Sequence, residues 1–219
     1  MKENPMLWYS IFTLFLLIIV SCQRQSSNSI VSPQHSIPLF DGETFKGWEG
    51  DTTKVWRIEN GAIVAGSLDQ TIDHNHFLAT KKSYRDFTLR LKFKLSGSEG
   101  LVNAGVQFHS ERLTDPPYEM IGYQADLGAN YWGSLYDESR RDKTLVLPDM
   151  KMMNQILRYD DWNDYMIVTK DKHIQIYLNG QKTVDYIETD LKIPQHGHIA
   201  LQIHGGGKTL VSYKEITIE

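Results

Sequence analysis

The chain has 219 residues, of which 41% are hydrophobic and 23% are charged. This is the composition of a globular domain, and it excludes collagen-like, wholly disordered and multi-span membrane proteins. The net charge of −4 disfavours a nucleic-acid binder, which usually carries a basic excess. The single cysteine excludes an internal disulfide framework and any cysteine-based zinc site.

The amino end is typical of a bacterial export signal. An apolar run from Leu7 to Ser21 follows Lys2, and at 15 residues it is shorter than a stable membrane span. The run ends in Ile19-Val20-Ser21-Cys22, which resembles a lipobox, in which the cysteine receives the lipid. We therefore predict a lipoprotein signal peptide over residues 1–21.

Cleavage before Cys22 would leave that residue as a lipid anchor to a membrane. The polar, Ser-rich segment that follows predicts a flexible tether over residues 22–36. The expected location is the bacterial cell envelope, in the periplasm or at the cell surface, on the outer membrane where one exists. The alternative is a buried apolar helix with a chance cysteine.

Residues 37–219 are predicted to form one all-β domain. Hydrophobic residues alternate with polar ones over Phe87–Leu95 and over Ile174–Leu178, which predicts half-buried strands. Asn60-Gly61 and Asn179-Gly180 are typical of type I′ hairpin turns. Frequent strands and turns predict an antiparallel β-sandwich or jelly roll.

Two segments depart from the all-β pattern, a predicted helix and a glycine-rich stretch. A short helix is predicted over Asp149–Leu157, directly after Pro148. The sequence HGGGKT at residues 204–209 is similar to a phosphate-binding loop, but Gln202 stands where that motif needs glycine. It is also followed by a strand pattern where the motif needs a helix, so we interpret it as a turn between strands.

Three strand segments have a polar side made of hydrogen-bonding residues instead of the usual lysines and glutamates. They are NAGVQFHS at 103–110, GYQADL at 122–127 and IALQIHG at 199–205. Side chains alternate along a strand, so the polar side is predicted to carry Gln107, His109, Gln124, Asp126, Gln202 and His204. If the strands share a sheet, these residues line one concave surface suited to a hydroxyl-rich ligand. The alternative is an ordinary solvated sheet face.

The segment GANYWGSLYDESRRDK, at residues 128–143, adds aromatic and charged residues. Trp132 and Tyr136 are suited to stacking on a sugar ring, and Glu138 and Arg140 are candidates for the same site. Alternatively, the aromatic residues pack into the core and the charges pair with each other. His74 and His76 form a possible metal pair, although a turn is the simpler interpretation.

The chain resembles the 3-keto-disaccharide hydrolase domain family. The matching segments include PLFDGETFKGWEG at 38–50, VWRIENGAIV at 55–64 and the three polar segments in the same order. The resemblance covers about Ile37 to Glu219. It implies a concanavalin-A-like jelly roll, secretion or lipid anchoring in bacteria, and cleavage of glycosides oxidised to the ketone at C3.

A ketone at C3 acidifies the C2 hydrogen, so the glycosidic bond can break by β-elimination, followed by hydration. This requires a base, a donor or cation at the enolate oxygen, and an acid for the leaving group. The candidates are His109, His204 or Asp126 as base, Arg140 at the enolate and Glu138 as acid. Gln107, Gln124, Gln202, Trp132 and Tyr136 are candidates for substrate binding.

The sequence requires no cofactor, although a divalent cation is possible and its ligands are unknown. The main alternative to an enzyme is a non-catalytic, lectin-like carbohydrate-binding lipoprotein of the envelope, because related folds serve both purposes. A structural envelope protein without saturable sugar binding is a third class.

Overall fold

The computed structural model describes Met1 and residues 36–219. The predicted signal peptide, Cys22 and all of the tether except Ser36 lie outside the described residues. Within the described part of the chain, no helix has the length and apolar character needed to cross a membrane.

Fifteen strands and one helix make up the described domain. In chain order they are β1 (Ile37–Pro38), β2 (Trp48–Glu49), β3 (Trp56–Glu59), β4 (Ala62–Gly66), β5 (His76–Thr80), β6 (Phe87–Gly100), β7 (Asn103–Arg112), β8 (Met120–Gly128), β9 (Leu135–Glu138), β10 (Lys143–Val146), α1 (Met150–Ile156), β11 (Asn163–Lys170), β12 (His173–Leu178), β13 (Gln181–Ile187), β14 (His198–Ile203) and β15 (Gly207–Ile218).

The strands form two sheets in which every pairing between strands is antiparallel. The first sheet has the order β13-β12-β11-β6-β15-β4-β3, with β1 paired to β15. The second sheet has the order β10-β9-β8-β7-β14-β5-β2. The predicted all-β antiparallel sandwich is confirmed. Because β7, β8 and β14 are neighbours in the second sheet, the three polar segments lie in one sheet, as the shared surface requires.

The core lies between the sheets and is built from the apolar sides of alternating strands. Leu89 and Phe93 of the first sheet and Val106 and Leu201 of the second are fully buried in one hydrophobic cluster. Burial of apolar surface stabilises the folded chain by about 25 cal/mol per Å² and is the main favourable contribution to folding. It also fixes strand register, because a shift of one residue would turn the polar side of each strand inward.

Local sequence signals are found where they were predicted. Asn179 and Gly180 both have positive φ, at 49° and 81°, as a type I′ turn between β12 and β13 requires. The helix α1 is capped by the Asp149 carboxylate, which accepts a hydrogen bond from the Lys151 amide. Gly207 begins a strand, so the glycine-rich segment is a turn leading into β15.

The outer faces of the two sheets differ in chemistry. On the first sheet, Lys92 pairs with Asp164 and Glu215 at 2.7 and 3.3 Å, which is an ordinary solvated face. On the second sheet, the outward positions of the four central strands carry amides and carboxyl groups that are nearly all buried. This second surface is where the candidate site lies.

Candidate functional site

Strand register brings the predicted polar residues together on the outer face of the second sheet. Gln107 of β7 lies opposite Gln124 of β8, and Gly105 of β7 lies opposite both Gln202 of β14 and Asp126 of β8. Glu138 of β9 accepts a hydrogen bond from the Gln202 side chain at 3.3 Å. This surface, the polar face, is formed by Gln107, Gln124, Asp126, Glu138 and Gln202.

The amides of the polar face are buried without having all of their hydrogen-bond partners. Gln107 and Gln202 are fully buried, and Gln124 is 2% exposed. Both polar atoms of the Gln107 side chain, and the Oε1 atoms of Gln124 and Gln202, have no hydrogen-bond partner among the described residues. An unpaired buried polar group costs about 1–3 kcal/mol, so native proteins rarely keep several together without a use. These atoms are suited to binding the hydroxyl and carbonyl groups of a ligand.

Gly105 has no side chain, and this leaves room for the amide of Gln124. A Cβ atom placed on Gly105 would lie 2.6 Å from Cδ and 2.8 Å from Cγ of Gln124. The Gln124 side chain therefore crosses the backbone of β7 at the one position where no side chain obstructs it.

Asp126 is a buried carboxyl group held in one orientation. Its Oδ1 atom accepts hydrogen bonds from the Asn103 side chain and from the Leu127 amide, each at 2.9 Å. Burial raises the pKa of Asp126 to about 7, although both hydrogen bonds favour the ionised form. The carboxyl group is therefore close to half ionised at neutral pH.

Glu138 is a second carboxyl group that titrates in the neutral range. Burial raises its pKa to about 7, with further contributions from the negative charges of Glu119, Asp126 and Asp142. Neighbouring carboxyl groups with raised pKa values are common in the active sites of enzymes that use acid–base catalysis, and they also occur as structural pairs.

Glu119 belongs to this group of carboxylates and was not identified from the sequence. It accepts a hydrogen bond from Asn75 at 2.9 Å through Oε1, while its buried Oε2 has no partner among the described residues. Glu119 precedes β8 and therefore lies outside the alternating pattern that identified the other residues. The only sequence signal was a carboxylate immediately before the polar strand.

Two tyrosines of the first sheet support the strands of the polar face from below. The Tyr213 hydroxyl lies 2.9 Å from the Gln202 carbonyl and 3.0 Å from the Gly105 carbonyl. The Tyr165 hydroxyl lies 3.3 Å from the Asp126 carbonyl. These contacts cross the core to β7, β8 and β14, so the first sheet helps to fix the backbone beneath the site.

His109 does not lie on the polar face, and the prediction that it shares the side of Gln107 is wrong. The pairing of β7 with β8 shifts between Phe108 and Glu111, and His109 has a φ of 47°. This bulge interrupts the alternation and turns the imidazole inward, where its ring centre lies 5.7 Å from that of Phe87.

The surroundings of His109 are those of a neutral core residue. Its Nε2 atom lies 2.6 Å from the Arg85 carbonyl and must therefore donate to it. Burial lowers the pKa of His109 to about 4. It is poorly placed to act as a base on a ligand bound to the polar face.

Arg140 is also placed differently from the prediction. Its guanidinium group contacts Asp137, which is fully buried, and lies 4.6 Å from the centre of the Tyr123 ring. Arg141 joins the same network through Asp137 and through Glu188, at 2.7 Å from the latter. Asp137 alternates with Tyr136 and Glu138 along β9, so this network lies on the opposite side of the strand from the polar face.

Trp132 is part of the hydrophobic core and does not form a rim of the polar face. It is 8% exposed and stacks near Phe93, with ring centres 6.3 Å apart. Its accessible edge lines a separate cavity of about 320 Å³ with Asn130, Asn154 and Tyr159. Trp132 therefore packs into the core, as the alternative interpretation of the sequence predicted.

Tyr136 and His204 lie next to the polar face. Tyr136 is opposite Gln124 in the pairing of β8 with β9, and burial raises its pKa to about 12. His204 follows β14, its amide donates to the Asn103 carbonyl at 3.1 Å, and its side chain is partly buried. The five residues of the polar face and Tyr136 therefore share the outer side of the second sheet, and His204 follows the end of β14.

Among the described residues, one group of three ligand-type side chains comes close enough to hold a metal ion. It consists of Asp73, His74 and His76, whose ligand atoms all lie within 4.8 Å of one another. Asp73 and His74 lie in the loop before β5 and His76 is the first residue of that strand. Gly205, the residue after His204, packs against His74.

Comparison with solved structures identifies the fold. A Parabacteroides distasonis protein assigned provisionally to the glycosyl hydrolases is 21% identical, with a TM-score of 0.63, over 84% of this chain and 93% of that one. The carbohydrate-binding module CBM66 of Bacillus subtilis is 14% identical, with a TM-score of 0.60, over 79% of this chain and 95% of that one. A Bacillus subtilis protein of unknown function with a galectin-like fold is 10% identical, with a TM-score of 0.63, over 84% of this chain and 94% of that one. At these identities the similarity shows the jelly-roll fold alone.

The fold and the family define a general class of protein. The described domain is a jelly roll, and the family model that it matches is one of carbohydrate-related proteins. Its residues 35–219 match the family model of the 3-keto-alpha-glucoside-1,2-lyase-like domain, and the chain belongs to that family. The predicted family resemblance is thereby confirmed. No curated protein sequence matches the chain significantly.

Proposed function

We propose that this protein cleaves the glycosidic bond of 3-keto-glycosides by β-elimination on the polar face. The observation that carries the proposal is the pair of carboxyl groups, Asp126 and Glu138, which titrate near pH 7 beside unpaired buried amides. Membership of a family described by 3-keto-glucoside 1,2-lyase chemistry supports the same reaction.

The surroundings of the two carboxyl groups assign them different roles. Asp126 accepts two hydrogen bonds that favour its ionised form, so it is the proposed base. Glu138 is surrounded by the negative charges of Glu119, Asp126 and Asp142, which favour its protonated form, so it is the proposed acid. Because neighbouring carboxyl groups titrate as a pair, the active state carries one proton between them.

The reaction proceeds by proton transfers without a change of oxidation state of the enzyme. Asp126 removes the C2 proton, and the electron pair of that bond forms an enolate on the C3 oxygen. The enolate collapses to a C1–C2 double bond while the C1–oxygen bond breaks, and Glu138 protonates the departing oxygen. Addition of water to the double bond then gives net hydrolysis. Exchange with solvent returns the proton from Asp126 to Glu138 between turnovers.

The amides of the polar face bind the substrate and the developing charge. Gln107 has a buried donor without a partner, which is suited to the enolate oxygen. The unpaired Oε1 atoms of Gln124 and Gln202 are suited to accepting hydrogen bonds from sugar hydroxyls.

The test uses a nitrophenyl 3-keto-glucoside, with the unoxidised glucoside as the control substrate. We expect release of the nitrophenol and formation of the sugar enone from the oxidised substrate only. Deuterium at C2 should slow the reaction when proton removal limits the rate, whereas direct hydrolysis would show no such primary isotope effect. Asp126→Asn and Glu138→Gln should each lower kcat by about 10²–10⁴-fold.

Asp164→Asn is the matched control, because this exposed carboxylate lies on the outer face of the first sheet. Equal cleavage of both substrates would overturn the proposal. Saturable sugar binding with no product from either substrate would assign the domain instead to the carbohydrate-binding modules.

A further inference from the structure

The loop before β5 and the first residue of β5 bring two imidazoles and a carboxylate close together. The His76 Nε2 atom lies 3.1 Å from Oδ1 of Asp73, and the His74 Nε2 atom lies 3.7 Å from Oδ2 of the same residue. The two imidazole rings have centres 4.1 Å apart. Two imidazole nitrogens and a carboxylate oxygen are a common ligand set for divalent transition metals.

The tautomer of His74 leaves its Nε2 atom available to bind a metal ion. Its Nδ1 atom lies 2.7 Å from the Asn75 carbonyl, which can only accept, so Nδ1 carries the proton. In the neutral ring the lone pair is then on Nε2, the atom that faces Asp73. Metal-binding histidines usually donate their second nitrogen in this way, which fixes the orientation of the ring.

Neighbouring segments hold this loop in place. The Asn75 side chain donates to Glu119 at 2.9 Å and accepts from the Gly205 amide at 3.1 Å. The Tyr118 ring stacks on His74, with centres 4.1 Å apart. The loop is therefore fixed between the start of β8 and the turn after β14, so its ligand atoms are positioned in advance.

The ligand spacing fits a small divalent ion. Ligand atoms about 2.0–2.1 Å from a tetrahedral metal lie about 3.3 Å from one another. The His76 Nε2 atom lies 3.1 Å from Oδ1 of Asp73 and the His74 Nε2 atom lies 3.7 Å from Oδ2, so each imidazole is near that spacing from one oxygen of the carboxylate. The side chains of Asp73, His74 and His76 are 77%, 35% and 18% exposed, so an ion can enter from solvent without unfolding of the chain.

We propose that Asp73, His74 and His76 form a binding site for a divalent transition metal of the Zn²⁺ type, with water completing its coordination. This site is separate from the polar face and does not depend on the proposed sugar chemistry. Without a metal, the same three residues form only a hydrogen-bonded histidine–aspartate cluster.

The test is a titration of the untagged full-length protein with Co²⁺, followed by displacement with Zn²⁺. We expect visible absorption that saturates at one Co²⁺ per chain and disappears when Zn²⁺ is added. His76→Gln and Asp73→Asn should each weaken the affinity for Co²⁺ by at least about tenfold, because each removes a ligand.

Asp73 is mostly exposed, so its substitution tests the site even where His76→Gln unfolds the chain. The matched control is His173→Gln, because His173 also faces an aspartate, Asp185, at 2.5 Å. The control variant should bind Co²⁺ like the wild type. Absence of saturable binding, or unchanged affinity in both Asp73→Asn and His76→Gln, would overturn the proposal.

Discussion

At the scale of single residues, Asp126 combines a proposed function with a cost in stability. Its pKa of about 7 in the folded chain lies above its ordinary value of 3.8, because burial disfavours the charge. Between these pH values the folded chain binds the proton more tightly than the unfolded chain, so this residue lowers stability as pH rises. The same raised pKa lets the carboxyl group exchange protons at neutral pH.

Asp126→Asn is therefore expected to separate stability from activity. It keeps the shape of the side chain and removes the ionisation, so it should remove a destabilisation that grows by about 1.4 kcal/mol per pH unit between about pH 4 and about pH 7. Turnover of the 3-keto-glucoside should fall in the same variant. Urea unfolding at about pH 5 and about pH 8 measures the effect, and an equal stability difference at both pH values would contradict it.

His109 shows the opposite dependence on pH. Its folded pKa of about 4 lies below the ordinary 6.5, so the unfolded chain binds the proton more readily. The stability that the neutral buried ring contributes is present above pH 6.5. It is lost as pH falls through the window between these two values.

His109→Gln should flatten this part of the pH dependence, because glutamine does not titrate and retains a donor for the Arg85 carbonyl. We expect the difference in unfolding free energy between wild type and variant to change as pH falls from about 6.5 to about 4. The kcat on the 3-keto-glucoside should remain within a few-fold of wild type. A large loss of kcat in a folded variant would return His109 to the list of catalytic candidates.

At the scale of elements, β7 determines the geometry of the site through two local features. The bulge at His109 and Ser110 ends the polar alternation, and Gly122 of β8 fits closely against it, since a Cβ there would lie 2.0 Å from the Ser110 Oγ. Gly105, four residues earlier, leaves room for the Gln124 side chain. The strand therefore turns His109, a predicted catalytic residue, inward and makes space for Gln124, a predicted substrate-binding residue.

Gly105→Ala should displace the Gln124 amide, because the new Cβ would lie 2.6 Å from its Cδ. We expect substrate binding to weaken by about tenfold or more, which corresponds to about 1.4 kcal/mol. The double variant Gly105→Ala/Gln124→Ala removes the clash, so the two effects should not add. Strictly additive losses of affinity would show that the two residues do not interact.

At the scale of the whole molecule, the two sheets have different tasks. The first sheet presents a charged, solvated outer face and supports the second through Tyr165 and Tyr213. The second sheet carries the polar face. The first sheet thus supplies hydrophobic packing and the hydroxyl contacts to the carbonyl groups beneath the polar face, while the second sheet carries the site of the proposed function.

We also propose that the mature protein is a lipid-anchored protein of the bacterial cell envelope, on the evidence of the apolar segment and Cys22. Cys22→Ala should abolish acylation and signal cleavage, and it should leave an unprocessed or soluble chain. Mass spectrometry of the protein purified from membranes measures both. An unmodified wild-type chain that still begins at Met1 would contradict the lipoprotein assignment.

The sequence by itself determined the class of fold, many of the strands and the outward side of each polar strand. Period-two alternation predicted that Gln107 of β7, Gln124 and Asp126 of β8 and Gln202 of β14 lie on the polar side of their own strands, because side-chain direction in a strand is a local property. The pairing of β7 with β8 and β14 in one sheet then brought these residues together. The Asn-Gly turns are an equally local signal.

Only the tertiary structure decided the positions of His109, Arg140, Trp132 and Glu119. A β-bulge inverts the direction of His109, and buried ion pairing draws Arg140 to Asp137. Packing against Phe93 places Trp132 in the core, and folding of the loop before β8 brings Glu119 to the carboxyl groups. The positions of His109, Trp132 and Glu119 depend on contacts between residues far apart in sequence, about which local periodicity contains no information. Arg140 contacts a near neighbour in sequence, and only the burial of Asp137 in the folded chain decides that contact.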